Sequence, residues 1–383
     1  MIPFTYTLRN LLRRPTQTVQ LLLGTGFVVL LVMLATATNR AMENTLNNSG
    51  DTRNVIVLGA GSEESIERSE VTSAASEIIS ASVSGIYHIA NEPAVSPEVH
   101  FNGVVDLSNG KKAQALLRGV RHQAMWVYPR VRILEGHFPN SGEVMIGTLA
   151  HQKLGVKAQE ITLGSTFRFN GELLTVSGIF SAYGTVMEAE IWMPLQDLLT
   201  TTQRENLSCV VIRNQDSKSF SDIDVFTKTR LDLELAIIKE SDYYKGLTNF
   251  YKPIRWMTWV CAILLSLGAL LGGLNSLNAA FSARIREFGA MQAIGFTRIQ
   301  LMASLIKETT LYSSLGLIIA LVVVRFSLQG TSFPFSIGVF VLDFDSYITR
   351  VAIFTSIAVS LLGSLAPGWK CLKPSLTQTL RSS

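Results

Sequence analysis

Residues 282–308 read SARIREFGAMQAIGFTRIQLMASLIKE and lie between two long uncharged runs. Ile285, Phe288 and Met291, continued by Ile294, recur at helical spacing, and Gly295 is placed to end that helix. Thr297 followed by Gln300 has the capping-box pattern that starts another. The reading is helix, break, helix. Arg284, Arg286, Arg298 and Lys307 crowd this short connection, and Lys and Arg concentrate in the cytoplasmic loops of membrane proteins.

Working outward, the flanking runs are residues 254–281, with Trp256 and Trp259 where interfacial rings belong, and residues 309–328. Residues 19–38 and 351–369 are further runs close to the roughly 20 residues that cross a hydrocarbon core. The first begins too late, and lacks a convincing small-residue cleavage site, to read as a removable signal. Arg325 lies within a turn of an outer end, from which it can snorkel to water. Gly268, Gly272 and Gly273 have the small-residue spacing of a helix–helix seam, with lipid-facing filler as the alternative.

Arg9, Arg13 and Arg14 at the start, and Lys370, Lys373 and Arg381 at the end, fall on the same side as the 282–308 loop, whereas residues 330–347 carry only Asp343 and Asp345. Both termini are therefore expected in the cytoplasm. Residues 1–18, with Phe4, Leu8, Leu11 and Leu12 against Arg9 and Arg13, read as an amphipathic elbow, and residues 370–383 as a tail. The mean hydropathy of +0.30 fits a chain only partly in lipid. The net charge of +4 shows no basic stretch interleaved with aromatics, so no nucleic-acid partner is expected.

Residues 39–253 have ordinary soluble composition and must lie outside, with residues 329–350 as a second, short outer loop. Residues 54–58 read as a strand, 63–79 as a helix, and 145–154 as a strand running into a short helix. Residues 161–179 read as two strands turning at Asn170-Gly171, and 221–252 as a largely helical return to the membrane. The fold class expected is a four-helix membrane protein with an α+β extracytoplasmic domain inserted between helices 1 and 2.

His88, His100, His122, His137 and His151 all fall in that domain without HxxxH or HExxH spacing, so no metal site is expected. Cys209, Cys261 and Cys371 are expected outside the membrane, within it and in the cytoplasm, which forbids a disulfide and reads as three inert thiols. No GxSxG elbow is present, and no catalytic residue is assigned.

Taken on physics alone, the 282–308 helix rests on headgroups or docks on a partner, and both fit. The run RIREFGAMQAIGFTRIQL followed by Glu308 resembles the loop of MacB/FtsX-type ABC permeases, whose motif is close to R-x-R-E-I-G-x-x-R-A-x-G. Arg284, Arg286, Glu287, Gly289, Ala293 and Gly295 match, and Gln292 stands where that family has Arg. RNLLRRPTQT, LEGHFPNSGEVMIGTLAHQKLGV, GELLTVSGIF, EIWMPLQDL and LLGSLAPGWKCLKPSLTQTLRS extend the likeness over most of the chain.

The resemblance implies a homodimer or a pair of related permeases standing on two ABC ATPases in a bacterial inner membrane, with a periplasmic adaptor or outer-membrane channel as a further partner. Its coupling helix would comprise Arg284, Arg286, Glu287, Phe288, Gly289, Met291, Ala293, Ile294 and Gly295. The chain has no GxxxxGK[ST] loop; Asn109-Gly110-Lys111-Lys112 has Val105 where the first glycine should be. ATP and magnesium would thus sit on the partner, this chain binding no cofactor, as in the LolC/LolE and DevC layout. Mechanotransmission for export or extraction is the function implied; FtsX-like signalling to an extracellular hydrolase and a membrane-anchored enzyme are the alternatives.

Overall fold

The computed structural model describes residues 13, 15–216 and 220–373; the elbow expected over 1–18 and the tail over 370–383 lie mostly outside the described residues. The chain divides into two compact units, one of residues 41–252 and 332–341, the other of residues up to 40, 253–331 and from 342.

The first helix, α1 (Pro15–Ser49), has 35 residues. At 1.5 Å per residue it is about 52 Å long, well beyond the ~30 Å of a hydrocarbon core. Its last turns belong to the inserted domain, where Ser49 Oγ accepts a hydrogen bond from the Val186 amide at 2.9 Å.

The inserted domain is built on β1 (Asn54–Gly59), β2 (Val95–Leu107), β3 (Lys112–Val120), β4 (Arg132–Gly136), β5 (Glu143–Gly147), β6 (Thr166–Phe169), β7 (Glu172–Ser181), β8 (Ile191–Pro194), β9 (Cys209–Arg213) and β10 (Leu235–Lys239). They form one sheet in the order β10-β1-β9-β2-β3-β8-β5-β7-β4, and β6 pairs with both β2 and β7. β1 is buried along its whole length. Successive side chains of a strand point to opposite faces, so Val55 and Val57 enter one core with Ile79, Leu117 and Phe169, while Ile56 and Leu58 enter the other with Tyr128, Phe180 and Trp192. Helices α2 (Ala75–Ser82), α3 (Ala124–Val127), α4 (Ala150–Lys153), α5 (Leu195–Thr202), α6 (Phe220–Thr229) and α7 (Glu240–Phe250) complete the α+β unit.

The Asn170-Gly171 turn joins β6 to β7 with φ of 49° and 89°, the left-handed pair that a type I′ hairpin requires. One expectation is corrected, and the largely helical reading of 221–252 gains a strand. Residues 63–79 are not one helix but a 3-10 turn, Ile66–Arg68, followed by α2. Residues 221–252 contain β10, whose Ile238 and Ile237 pair with Ile56 and Val57 at the edge of the sheet. A hairpin from the connection that follows the third long helix, β11 (Ser332–Pro334) and β12 (Val339–Val341), also belongs to this unit. Lys153 Nζ donates to the Ser336 carbonyl at 2.9 Å, and the Phe335 ring meets Tyr251 edge-on.

The other unit contains α8 (Lys252–Ser282), α9 (Ile285–Ala293), α10 (Arg298–Val323) and α11 (Ser346–Leu372). Counting the π turn Val324–Leu328 with α10, and including α1, four helices among the described residues are long and apolar enough to cross a membrane. Arg40 pairs with Asp345 at 3.0 Å and lies over the Tyr347 ring, tying α1 to the N-cap of α11. Between α10 and α11, Ser313 Oγ donates to the Ser356 carbonyl at 2.7 Å, and the Thr310 and Ser360 hydroxyls meet at 2.8 Å. Small and hydroxyl residues at such seams replace the hydrophobic drive that lipid removes.

The seam expected at Gly268, Gly272 and Gly273 is not made among the described residues of this chain. A Cβ at any of them would meet no atom within 4 Å. The close approach lies instead between Gly26 of α1 and Gly316 of α10, where a Cβ on Gly316 would sit 2.8 Å from the Gly26 nitrogen.

Candidate functional site

The loop between α8 and α10 is held by both of its ends. Arg284 precedes α9, and its Nη1 donates to both carboxylate oxygens of Glu308 on α10, at 3.1 and 2.9 Å. Its Nε lies 3.5 Å from Glu287, and its guanidinium stands over the Phe288 ring at 5.2 Å. Arg284 and Glu308 are both buried, at 7% and 5% exposure. A charge-assisted hydrogen bond from one guanidinium nitrogen to both carboxylate oxygens is stronger than a neutral one, and breaking one half of a buried pair leaves the other charge uncompensated. α9 is thereby clamped to α10.

Packing works in the same direction. Phe288 is 3% exposed and joins Leu21, Leu277, Phe281, Leu301, Leu305 and Tyr312 in one apolar cluster, with Ile285, Met291 and Phe296 against its edge. Gly289 is also buried. The apolar stripe read from the sequence thus faces the helices of its own chain.

The break is built as a left-handed cap followed by a reciprocal one. Gly295 has φ of +105°, a value that a side chain would resist. Thr297 Oγ1 accepts from the Gln300 amide at 3.3 Å, while Gln300 Oε1 accepts from the Thr297 amide at 3.0 Å. These two caps turn the chain between α9 and α10 and push its apex outward. Ile294 is 80% exposed there and Ile299 82%.

The residues singled out in the sequence therefore separate into two sets. Arg284, Phe288 and Gly289 face inward and Met291 is half-buried, whereas Arg286, Glu287, Ala293, Ile294 and Gly295 are exposed. Ile299 was missed; its signal is an isolated aliphatic residue in the first turn after a polar cap. An exposed pair of aliphatics on a short polar apex can anchor in a partner's pocket but offers no nucleophile or acid–base pair.

Comparison with known proteins agrees with the two-unit layout. Residues 20–224 match the model of the MacB-like periplasmic core domain, and residues 259–376 match that of the FtsX-like permease C-terminal region. No curated protein matches the chain. Among solved structures, the periplasmic region of MacB from Actinobacillus actinomycetemcomitans is 17% identical, with 54% of this chain and 97% of that one covered and a TM-score of 0.41. The extracellular domain of the noncanonic ABC-type transporter YknZ from Gram-positive bacteria is 13% identical, covering 48% of this chain and 99% of that one, with a TM-score of 0.38.

Proposed function

Because this chain belongs to the MacB/FtsX-type family of ABC transporter permeases, we propose that it converts the ATP cycle of separate ABC ATPase subunits into movement of its inserted domain. The observation that carries this reading is the α9 loop: clamped to α10 through Arg284 and Glu308, it presents Ile294 and Ile299 outward. A helix fixed on one side and exposed at an apolar apex is suited to receive a push. Two ATPases would seat on the apices of two permease chains at the cytoplasmic face of the bacterial inner membrane, holding the ATP and magnesium themselves.

Four chain segments can carry that push to the inserted domain. They are the unbroken α1, the α7–α8 junction at Tyr251, and the two short connections that lead into and out of the β11–β12 hairpin. Stiff segments transmit displacement where flexible linkers absorb it. The second permease, a copy or a relative, would cover the exposed face of α8 around Gly268 and Gly272. Export or extraction of a substrate is the work that results, with an adaptor or outer-membrane channel completing the path where the envelope has one.

The test is co-purification from native membranes with ATPase assay of the complex. An ABC ATPase should accompany the parent chain and be lost from Ile294→Asp. A chain that carries no ATPase contradicts the proposal. A complex that brings an extracellular hydrolase and no transport companion assigns the same coupling to signalling.

A further inference from the structure

The inserted domain buries a cluster that its place in a permease does not require. Ser96, Glu98 and His100 alternate along β2 and share one face. In the ladders beside them, Cys209 of β9 is the register partner of Glu98, and Arg118 of β3 is the register partner of His100. Residues opposite one another across strands have Cβ atoms about 5 Å apart. The sheet itself brings the groups together.

Arg118 is fully committed within the cluster. Its Nε and Nη2 bond the two oxygens of Glu190 at 2.8 and 2.7 Å, and Nη1 bonds Glu98 Oε2 at 3.0 Å and the Tyr128 hydroxyl at 3.2 Å. His100 Nε2 lies 3.0 Å from that same Glu98 oxygen. The other one, Glu98 Oε1, is buried without a hydrogen-bond partner. The Ser96 hydroxyl, on the same face of β2, is likewise buried without a hydrogen-bond partner. Two carboxylates against one guanidinium leave the cluster one negative charge in excess before His100 is counted, and an uncompensated buried charge is costly.

We propose that Glu98, His100 and Cys209 form a site for a thiolate-preferring divalent cation of the zinc class. One ligand atom from each already lies within 4.8 Å of the others, and all three residues are buried. Imidazole nitrogen, carboxylate oxygen and cysteine sulfur bind such an ion at about 2.0–2.3 Å. Two nitrogen or oxygen ligands of a tetrahedral ion are then roughly 3.3 Å apart, a spacing within the reach of the three side chains. On binding, the ion takes the orphan Glu98 Oε1 and the His100 nitrogen, Arg118 keeps Glu98 Oε2, and the Cys209 thiol proton leaves to solvent. With Cys209 as thiolate, two carboxylates and one thiolate balance one guanidinium and a doubly charged ion. The His100 side chain is 8% exposed and gives the way in. The ion would staple β2 to β9 in the middle of the domain.

The test uses the tag-free full chain in detergent with Cys261→Ser and Cys371→Ser, which leaves Cys209 as its sole cysteine. The chain is stripped with chelator and titrated with cobalt(II). A sulfur-to-cobalt charge-transfer band saturating at one ion per chain, displaced by zinc, is expected. His100→Gln should weaken it about tenfold or more. Absence of the band from the parent chain overturns the proposal, whatever the variants do. A band equally strong in His100→Gln and Glu98→Gln also overturns it, since the sulfur then binds alone.

Discussion

Arg284 and Glu308 stand 24 residues apart in the chain, and a two-pronged hydrogen bond closes that interval into one rigid bracket around the α9 loop. The bracket packs α9 against the long helices of its own unit.

Glu308→Ala should therefore both destabilise the bundle and uncouple it. Removing one partner of a buried pair costs about 3 kcal/mol or more, while replacing both by apolar residues costs far less. Thermal unfolding in detergent should show a clear loss for Glu308→Ala, and a smaller one for Arg284→Met combined with Glu308→Leu. Additive losses in the double variant would show that the pair does not act as a unit.

Ile294→Asp and Ile299→Asp test the apex alone. Both side chains are at least 80% exposed, so folding should change by less than about 0.5 kcal/mol. Capture of the ATPase should fall steeply. Equal capture by the parent and both variants would place the docking surface elsewhere.

Gly316→Ala and Gly272→Ala separate two kinds of helix contact. The Gly316 Cβ would press on the backbone of α1, at an expected cost of about 1–3 kcal/mol. Gly272→Ala meets nothing among the described residues, and Ala is the better helix former, so the unfolding midpoint of the monomer should not fall. Weaker pairing of two permease chains in Gly272→Ala is the expected consequence, measured by crosslinking in membranes.

Glu240 makes the inserted domain sensitive to pH. It is the first residue of α7, and its Oε2 accepts from the Asp51 amide at 2.9 Å and from Asn54 Nδ2 at 3.0 Å. Burial outweighs these two donors and lifts its pKa from 4.5 to about 8. Between those values the folded chain holds one proton more than the unfolded chain, so stability falls as pH rises through that window. Glu240→Gln should remove the slope, gaining on the order of a few kcal/mol at pH 8 and nothing near pH 4.5. Unfolding followed across this range decides it; identical slopes in the two chains would contradict the account.

Local rules made much of this molecule legible in advance. The Thr297–Gln300 box, the left-handed Gly295 and the Asn170-Gly171 hairpin are each decided by a few neighbouring residues, and the long apolar runs are decided by composition. Residues 235–239, LAIIK, look the same as a strand or a helical stretch until β1 offers them an edge. Residues 63–79 carry helical spacing but break at Ser69 and Glu70, where the isolated bridge from Val71 to Leu207 draws the chain to the sheet. The Gly26–Gly316 contact joins helices some 290 residues apart, and no local spacing announces it. At the candidate site, periodicity located α9 but not the direction its stripe faces; that depended on Arg284 finding Glu308. The Glu98–His100–Cys209 cluster was hidden for the same reason, since sheet register and not sequence distance assembles it.

In the proposed coupling, nucleotide at the ATPase moves the outer part of α1. A spin label at the exposed Asn47→Cys, in a chain whose exposed Cys261 is replaced by serine, reports the separation of that position between the two permease chains of the reconstituted complex. Pulsed electron–electron distance measurement, without nucleotide and with a trapped ATP state, should give two different distributions in the parent and a single one in Glu308→Ala. Identical distributions in the parent, with ATPase bound and turning over, would contradict the account.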